Sequence, residues 1–314
     1  MNARRTSGVR PTSDTGRAAV LGTGGIGGLV AARTGALCVG TERSVAAIRA
    51  RGLSLVQAGV TTVTRPEAVE RLERPVALLV VAVKAYDLDE ALDRLEPEAL
   101  AGAVVLPLLN GLEHLERIRA CSSLEQARPA LVVVAGSIGA VEAFSPEPAI
   151  VVQRTPGARI VVASDELEPE SLDRALAPLR VPGLEVVLGD GERAVLWEKA
   201  ARLAVLAVAA VTAGRTVGEL RDDGEWRERM RAALDESLAV ASAEGVSLAA
   251  SDQWAIIESL PFDLVPSGAR DAAAGRPTEL DAIAGSVIRA GARRGVPTPV
   301  LAELLAEAQR GVHA

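Results

Sequence analysis

The sequence predicts an α/β fold, with a doubly wound parallel sheet in the N-terminal part and an all-helical domain behind it. Three observations carry this expectation. Short apolar segments alternate with helical ones over the first half of the chain, the pattern of parallel strands joined by crossover helices. Residues 76–83 form an unbroken apolar run rich in valine, as in a strand buried on both faces. After Gly191 the strand-like segments stop and long helical ones take over.

Taken in order, residues 17–21 form the first strand. The run Gly22-Thr23-Gly24-Gly25-Ile26-Gly27-Gly28 follows it and opens a helix that ends near Thr34. Residues 36–41 read as the second strand, and residues 44–52 as a short helix stopped by Gly52. Residues 88–95 are helical, 103–109 a further buried strand, 112–120 helical and 130–134 a strand. From residue 151 to 187 the pattern changes, with strands at 160–163 and 184–188 around a helix at 169–179. Helices then cover 192–213, 226–243, 251–260 and 279–294. This reading gives a disordered tail over 1–16, a sheet domain over 17–190 and a helical substrate and dimerisation domain over 191–314, with the boundary near Asp190.

Composition narrows the function classes. Aromatic residues make up 2% of the 314, too few for platforms that stack single-stranded nucleic acid. The net charge of −7 leaves no basic footprint for a phosphate backbone, so no nucleic-acid partner is expected. Cys38 and Cys121 make no C-x-x-C pair, which fits a reducing, cytoplasmic setting. His114 and His313 are too few for most metal sites, and no metal is expected; His313 is read as part of a disordered end. The longest apolar run, residues 203–214, is far short of the roughly 20 residues a membrane-spanning helix needs. It reads as a buried core helix, with a homodimer interface as its other use, and no membrane partner is expected. The first 16 residues lack the apolar stretch of a secretory signal. A short transit peptide is the less favoured reading of them.

The glycine run carries the first chemistry. Gly22-x-Gly24-x-x-Gly27 lies between a predicted strand and a helix, the context a dinucleotide-binding loop requires. The first glycine permits the tight turn, the second lets backbone N–H groups approach a pyrophosphate, and the third lets helix and strand pack closely. This makes the N-terminal domain Rossmann-type. Only about ten residues separate Gly25 from Gly35, so the crossover is close to the shortest a parallel pair allows. Glu42 lies twenty residues after Gly22, where an acid meets the ribose hydroxyls of NAD, while Arg43 and Ser44 could hold the 2′-phosphate of NADP. Both charges also suit solvated residues at a strand end.

Lys84 and Asn110 each follow a predicted strand, at the carboxyl end that faces ligands in such sheets. Either is ordinary strand-to-turn chemistry alone. Lys199 follows Trp197 at the start of the apolar helix; a lysine there usually snorkels to the surface. The alternative is a partly buried ammonium with a lowered pKa that donates a proton. Lysine is rare in this arginine-rich chain. Ser267 and Asp271 stand at i, i+4 and share a helical face. Thr278 reads as an N-cap, and capping with favourable dipole placement explains Thr278, Glu279 and Asp281.

The order of these motifs resembles the ketopantoate reductase family over residues 17–308. The likeness rests on GTGGIGG, the VKAYD ending at Asp87, the NGL ending at Leu112 and the W-x-K ending at Lys199. It rests most on the S-x-x-x-D at Ser267 and the following GRPTELDAIAGSVIRAGARRGVPTP. The resemblance implies reduction of a 2-oxo acid to a 2-hydroxy acid with NADPH, in a cleft between the two domains. It implies a catalytic pair in which Lys199 is the general acid and Glu279 keeps it positioned and protonated. It implies that Asn110 and Ser267 hold substrate, and that Gly22, Gly24, Gly25, Ile26, Gly27, Arg43, Lys84 and Asn110 serve the cofactor. NADP is the expected cofactor and NAD the alternative.

Three departures from the family pattern stand out. The first crossover is about five residues short of the family's usual length. Thr41 replaces an arginine that reads NADP. Leu203, Ala207 and Ala210 replace two asparagines and a threonine that follow the lysine. On a helix Leu203 and Ala207 nearly align with Lys199, so they are expected to line the substrate pocket and favour a 2-oxo acid or other ketone bulkier or less polar than ketopantoate. Reaction on an imine, a reaction without net redox, and cofactor binding without catalysis are the rival expectations.

Overall fold

A computed structural model describes residues 16–128 and 130–312; the expected tail over 1–16, apart from Gly16, and His313 lie outside them. The chain divides into two compact units. One runs to Gly189, less Lys84–Tyr86 and Asn110–His114; the other consists of those two segments and the chain from Asp190 onward.

The first unit begins β1 (Ala18–Leu21), α1 (Gly25–Thr34), β2 (Leu37–Val39) and α2 (Glu42–Arg51). It continues β3 (Leu53–Gln57), β4 (Val60–Thr64), β5 (Ala68–Val69), β6 (Leu78–Val81), α3 (Leu88–Leu92), β7 (Val104–Pro107), α4 (His114–Ala120) and β8 (Val132–Val133). Six strands form one sheet in the order β5-β2-β1-β6-β7-β8, every pair parallel. β1 pairs β2 on one side and β6 on the other, so the winding reverses beside it. Ligands of doubly wound sheets bind at the carboxyl side of such a reversal. Val20, Leu78 and Val80 pack with Leu29, Val30 and Ile48 on one face. The alternate residues Ala19, Leu21, Leu79 and Val81 are equally buried, so both faces are covered.

The short crossover closes because the strands it joins are short. The ten residues of α1 rise about 15 Å, enough to return past the four residues of β1 at about 13 Å. Gly35 then ends the helix at φ 71°, a left-handed conformation that suits glycine.

The remaining strands of this unit are β9 (Ala135–Gly139), β10 (Ala143–Glu147), β11 (Ile150–Gln153), β12 (Ala158–Ala163) and β13 (Leu184–Leu188), with α5 (Pro169–Ala175) before β13. They build two further sheets, β10-β11-β3-β4 and β13-β12-β9, that the sequence reading does not contain. The expected strand at 130–134 is a correction: β8 ends at Val133, and Ala135 already belongs to β9 in another sheet. The hairpin sheet lies against α1. Arg33 in the last turn of α1 donates to Gln57 Oε1 at 2.9 Å and Gln153 Oε1 at 2.7 Å.

The second unit holds α6 (Glu192–Ala213), α7 (Val217–Asp222), α8 (Gly224–Ala243), α9 (Ala250–Ser259), α10 (Ser267–Ala273), a π-helical turn at Asp281–Gly285, α11 (Ser286–Arg294) and α12 (Pro299–Val312). α6 is its axis, packed by α8 and α12. Residues 204–210 of α6 are buried among Met230, Leu234, Leu301 and Leu304. The middle of that apolar run is therefore interior, as expected of a core helix, while Leu203 and Val211–Ala213 stay partly exposed. No helix among the described residues is long and apolar enough to cross a membrane.

Candidate functional site

The glycine loop is built as a close-packed turn with one open position. Gly22 has φ 92°, and its N–H donates to Val39 O at 2.9 Å, tying the turn to β2. A Cβ on Gly27 would stand 1.8 Å from Gly22 O, so the third glycine lets α1 sit on its own strand. Gly25 serves packing as well: a Cβ there would stand 2.6 Å from Ala143 O in β10. Gly24 differs. It is the N-cap of α1, and a Cβ there would meet nothing within 4 Å. The start of α1 at Gly24 thus borders open space, as a pyrophosphate requires.

The chain after β2 corrects the strand-end reading. The strand stops at Val39, and Thr41 caps α2, its side chain accepting from Ser44 N at 3.4 Å. Glu42 and Arg43 therefore occupy the exposed first turn of a helix, and Arg43 makes no ion pair among the described residues.

A cavity of about 830 Å³ opens at the amino end of the same sheet, lined by Ala18, Leu37, Val104 and Val132. It is at the wrong end for the dinucleotide, because the glycine loop follows the carboxyl end of β1.

In the second unit the two lysines of the chain share one polar cluster. Lys199 Nζ donates to Asn110 Oδ1 at 2.9 Å. Asn110 Nδ2 in turn points to Glu279 Oε2 at 3.4 Å, a long contact. The same oxygen accepts from Lys84 Nζ at 2.9 Å, and Glu279 Oε1 accepts from Ala85 N at 3.1 Å. Lys84 also donates to Asp271 Oδ2 at 3.1 Å, and Asp271 Oδ1 is held by Arg276 at 2.8 and 3.0 Å. Glu279 is 5% exposed and therefore requires these partners.

The electrostatics divide the two lysines. Burial lowers the Lys199 ammonium from 10.5 to about 8; Glu279 pulls it up, and Arg202 pushes it further down. Burial would lower Lys84 too, but Glu279 and Asp271 outweigh it and raise that ammonium above its ordinary value. Lys199 can thus give up a proton near neutral pH, while Lys84 stays charged.

Several expectations change here. Lys199 lies two turns inside α6 rather than on its first turn, and its hydrogen bond to a buried network replaces the snorkelling reading. Glu279 reaches Lys199 through Asn110, with no direct hydrogen bond. Thr278 forms no cap; the helix starts at Leu280 and passes at once into the π-helical turn. Ser267 opens α10 on the face that carries Asp271. Leu203 is partly exposed, but Ala207 is 2% exposed and packs in the core, so it offers a pocket no surface. Thr212 donates to Leu304 O at 3.3 Å.

The brace of the Asn110 loop has no signal of its own in the sequence. Arg289 grips both oxygens of Glu113 at 2.9 and 2.7 Å and also holds Asp281 at 2.9 Å. Gly111, at φ 92°, lies so near the π-helical turn that a Cβ would stand 2.0 Å from Ala282 O. The S-x-x-x-D spacing was the one sequence signal for Asp271; nothing in the sequence pairs Glu113 with Arg289.

Comparison with known proteins gives one family twice. Residues 18–165 match the model of the ketopantoate reductase PanE/ApbA domain, and residues 193–310 match its C-terminal domain. A 2-dehydropantoate 2-reductase of Halobacterium salinarum is 28% identical, over 94% of this chain and 99% of its own length. A PanE/ApbA family ketopantoate reductase from Ralstonia eutropha superposes with a TM-score of 0.80 at 26% identity, over 95% of this chain and 98% of that one. D-mandelate dehydrogenase, solved with NADH and anilino(oxo)acetate, has the same fold, with a TM-score of 0.82 at 22% identity over 95% of this chain and 98% of its own.

Proposed function

The chain belongs to the ketopantoate reductase family, and on that premise we propose that it is an NADPH-dependent reductase of a 2-oxo acid less polar than ketopantoate. One observation carries the reading. Lys199 presents an ammonium lowered to about 8, steadied by Asn110, with Glu279 behind the amide. That is a proton donor matched to neutral pH.

The glycine loop fits a dinucleotide, because the space at Gly24 is open and the packing glycines bring the α1 N–H groups up to it. Gly22, Gly24, Gly25, Ile26 and Gly27 would hold the pyrophosphate. Arg43, exposed and without an ion pair among the described residues, would take a 2′-phosphate, with Thr41 and Ser44 beside it. The bound nicotinamide supplies the hydride.

The protein supplies the rest. Lys199 hydrogen-bonds the ketone oxygen and passes it a proton as negative charge develops there. Asn110 fixes the ammonium, and Glu279 favours its charged form. Ser267 holds the substrate, and Leu203 supplies an apolar wall where the family pattern has an amide. Lys84 is neutralised by Glu279 and Asp271, so its part is to order that carboxylate beside the site.

The test is oxidation of NADPH and NADH by the protein against a panel of 2-oxo acids with apolar side chains. Turnover with NADPH preferred supports the reading, and none with either cofactor refutes it. We also place the protein in the cytoplasm, which its two free cysteines suit. We propose a homodimer, whose support is the exposed apolar side chains Ile256 and Phe262. Light scattering at twice the chain mass bears that out, and a monomer mass removes it.

A further inference from the structure

Arg202 follows Lys199 by three residues on α6, so the two side chains leave neighbouring positions on one face of the helix. The guanidinium is half-buried. It donates to Gln253 Oε1, a neutral acceptor that is itself buried, and makes no ion pair among the described residues. Glu198, exposed and one turn earlier, only partly offsets the loss of water, and burial leaves the guanidinium below its ordinary value. The cations around the Asn110–Glu279 cluster are matched by carboxylates, as is Arg294. Lys84 has Glu279 and Asp271, Arg276 has Asp271, Arg289 has Glu113, and Arg294 has Glu244. A guanidinium taken from water without a carboxylate lacks the partner that normally offsets its desolvation. A ligand can provide one.

We propose that Arg202 binds the carboxylate of the 2-oxo acid while Lys199 addresses its ketone oxygen. The inference rests on the reductase reading above. A 2-oxo acid carries its two recognition groups on adjacent carbons, and two long cationic side chains at i, i+3 on one helical face have the reach to meet such a pair. The planar fork of arginine matches two carboxylate oxygens, which the point charge of lysine does not. Lys84 is unsuited to this task, since two protein carboxylates already hold it.

The placement also couples binding to proton transfer. Lys199 faces Asn110 and Glu279 from outside its helix, with Lys84 and Asp271 beyond them, and Arg202 on its own helix. Arg202 is one of the causes that hold the ammonium low. A carboxylate on Arg202 cancels that repulsion and so keeps Lys199 protonated in the complex. As the carbonyl carbon accepts hydride, the C=O π pair moves onto oxygen. Oxygen then bonds the proton from Nζ, and Lys199, left neutral, takes a proton from solvent.

The experiment compares the best 2-oxo acid of the panel with its methyl ester, in wild type, Arg202→Gln and Arg202→Lys. In Arg202→Gln, kcat/KM for the acid falls about 100-fold, the scale of losing one charged partner of a buried pair. The ester loses far less, Arg202→Lys recovers part of the acid's loss, and the alkaline limb for the ester moves to higher pH because a like charge has left Lys199. Equal losses on acid and ester, or no loss on the acid, overturn the assignment of Arg202 alone. Should Arg202→Gln not fold, Arg202→Lys carries the same comparison, and an acid-to-ester ratio equal to wild type overturns it. A wild type inert toward every 2-oxo acid defeats the reductase reading itself.

Discussion

Replacing Glu279 by glutamine tests the electrostatics of the site through pH alone. Lys199 must be protonated to act as the acid, so activity falls as pH rises through its pKa of about 8. Glu279 raises that value, and its neutral replacement lowers it. Hydrogen bonds of 2.9 and 3.4 Å on either side of the Asn110 amide separate the charges. With the amide between them, those links put the charges at most about 8 Å apart. Charges about 8 Å apart at an effective dielectric of about 20 interact by about 2 kcal/mol, or about one and a half pKa units. Lys84, ion-paired to the same carboxylate at 2.9 Å, takes up part of this field, so about one unit remains. The limb then moves from about 8 to about 7, and at pH 7.5 the protonated fraction falls from about three quarters to about one quarter. Glu279→Gln therefore loses about threefold at pH 7.5, about tenfold at pH 9 and little at pH 6. The assay is kcat/KM for NADPH oxidation by the best 2-oxo acid across that range. A limb that stays in place or moves upward refutes the electrostatic reasoning; a loss that is equal at every pH shows a purely structural role for Glu279.

Two further outcomes follow from the packing. Gly24→Val fills open space, so it abolishes dinucleotide binding while the melting temperature holds; Gly27→Ala drives a Cβ against Gly22 O and costs more than about 3 kcal/mol of stability, read by denaturant titration. Equal melting temperatures for the two variants contradict this division. The apolar Leu203 leaves a substrate hydroxyl without the amide the family pattern provides, and Thr212 spends its one donor on Leu304 O. An unpaired hydroxyl costs about 1–3 kcal/mol, so kcat/KM for ketopantoate is about ten- to a hundredfold below that of its analogue with hydrogen in place of the hydroxyl. A preference for ketopantoate contradicts the apolar pocket.

The parallel sheet was legible because its signals are local. Apolar runs such as Leu78–Val81 need covering on both faces, and the glycines at 22, 24 and 27 state their own spacing. The β3–β4 hairpin was not read because its signals are weak. Its turn is Ala58-Gly59 with both residues at positive φ, where asparagine or aspartate is the usual first residue, and β4 is polar and mostly exposed. The π-helical turn at Asp281–Gly285 has no sequence pattern of its own, so residues 279–294 read as one helix. The candidate residues Lys84, Asn110, Lys199 and Glu279 were legible as types at motif positions. The pairing of Lys199 with Glu279 came from the family resemblance; the ion pair of Lys84 with Glu279 did not, since they are 195 positions apart and local periodicity says nothing of such pairs. Ala207 misled for a related reason: helical spacing aligns it with Lys199, but the packing of α6 decides which part of that face is open.

The central claim is that Lys199 donates the proton in a hydride reduction. It is tested most directly by single-turnover NADPH oxidation with a 2-oxo acid at pH 7 in Lys199→Ala, with dinucleotide affinity measured beside it. The rate falls by about 10²–10⁴ with the affinity unchanged, the range for loss of a general acid. A wild-type rate in a folded Lys199→Ala protein would contradict it.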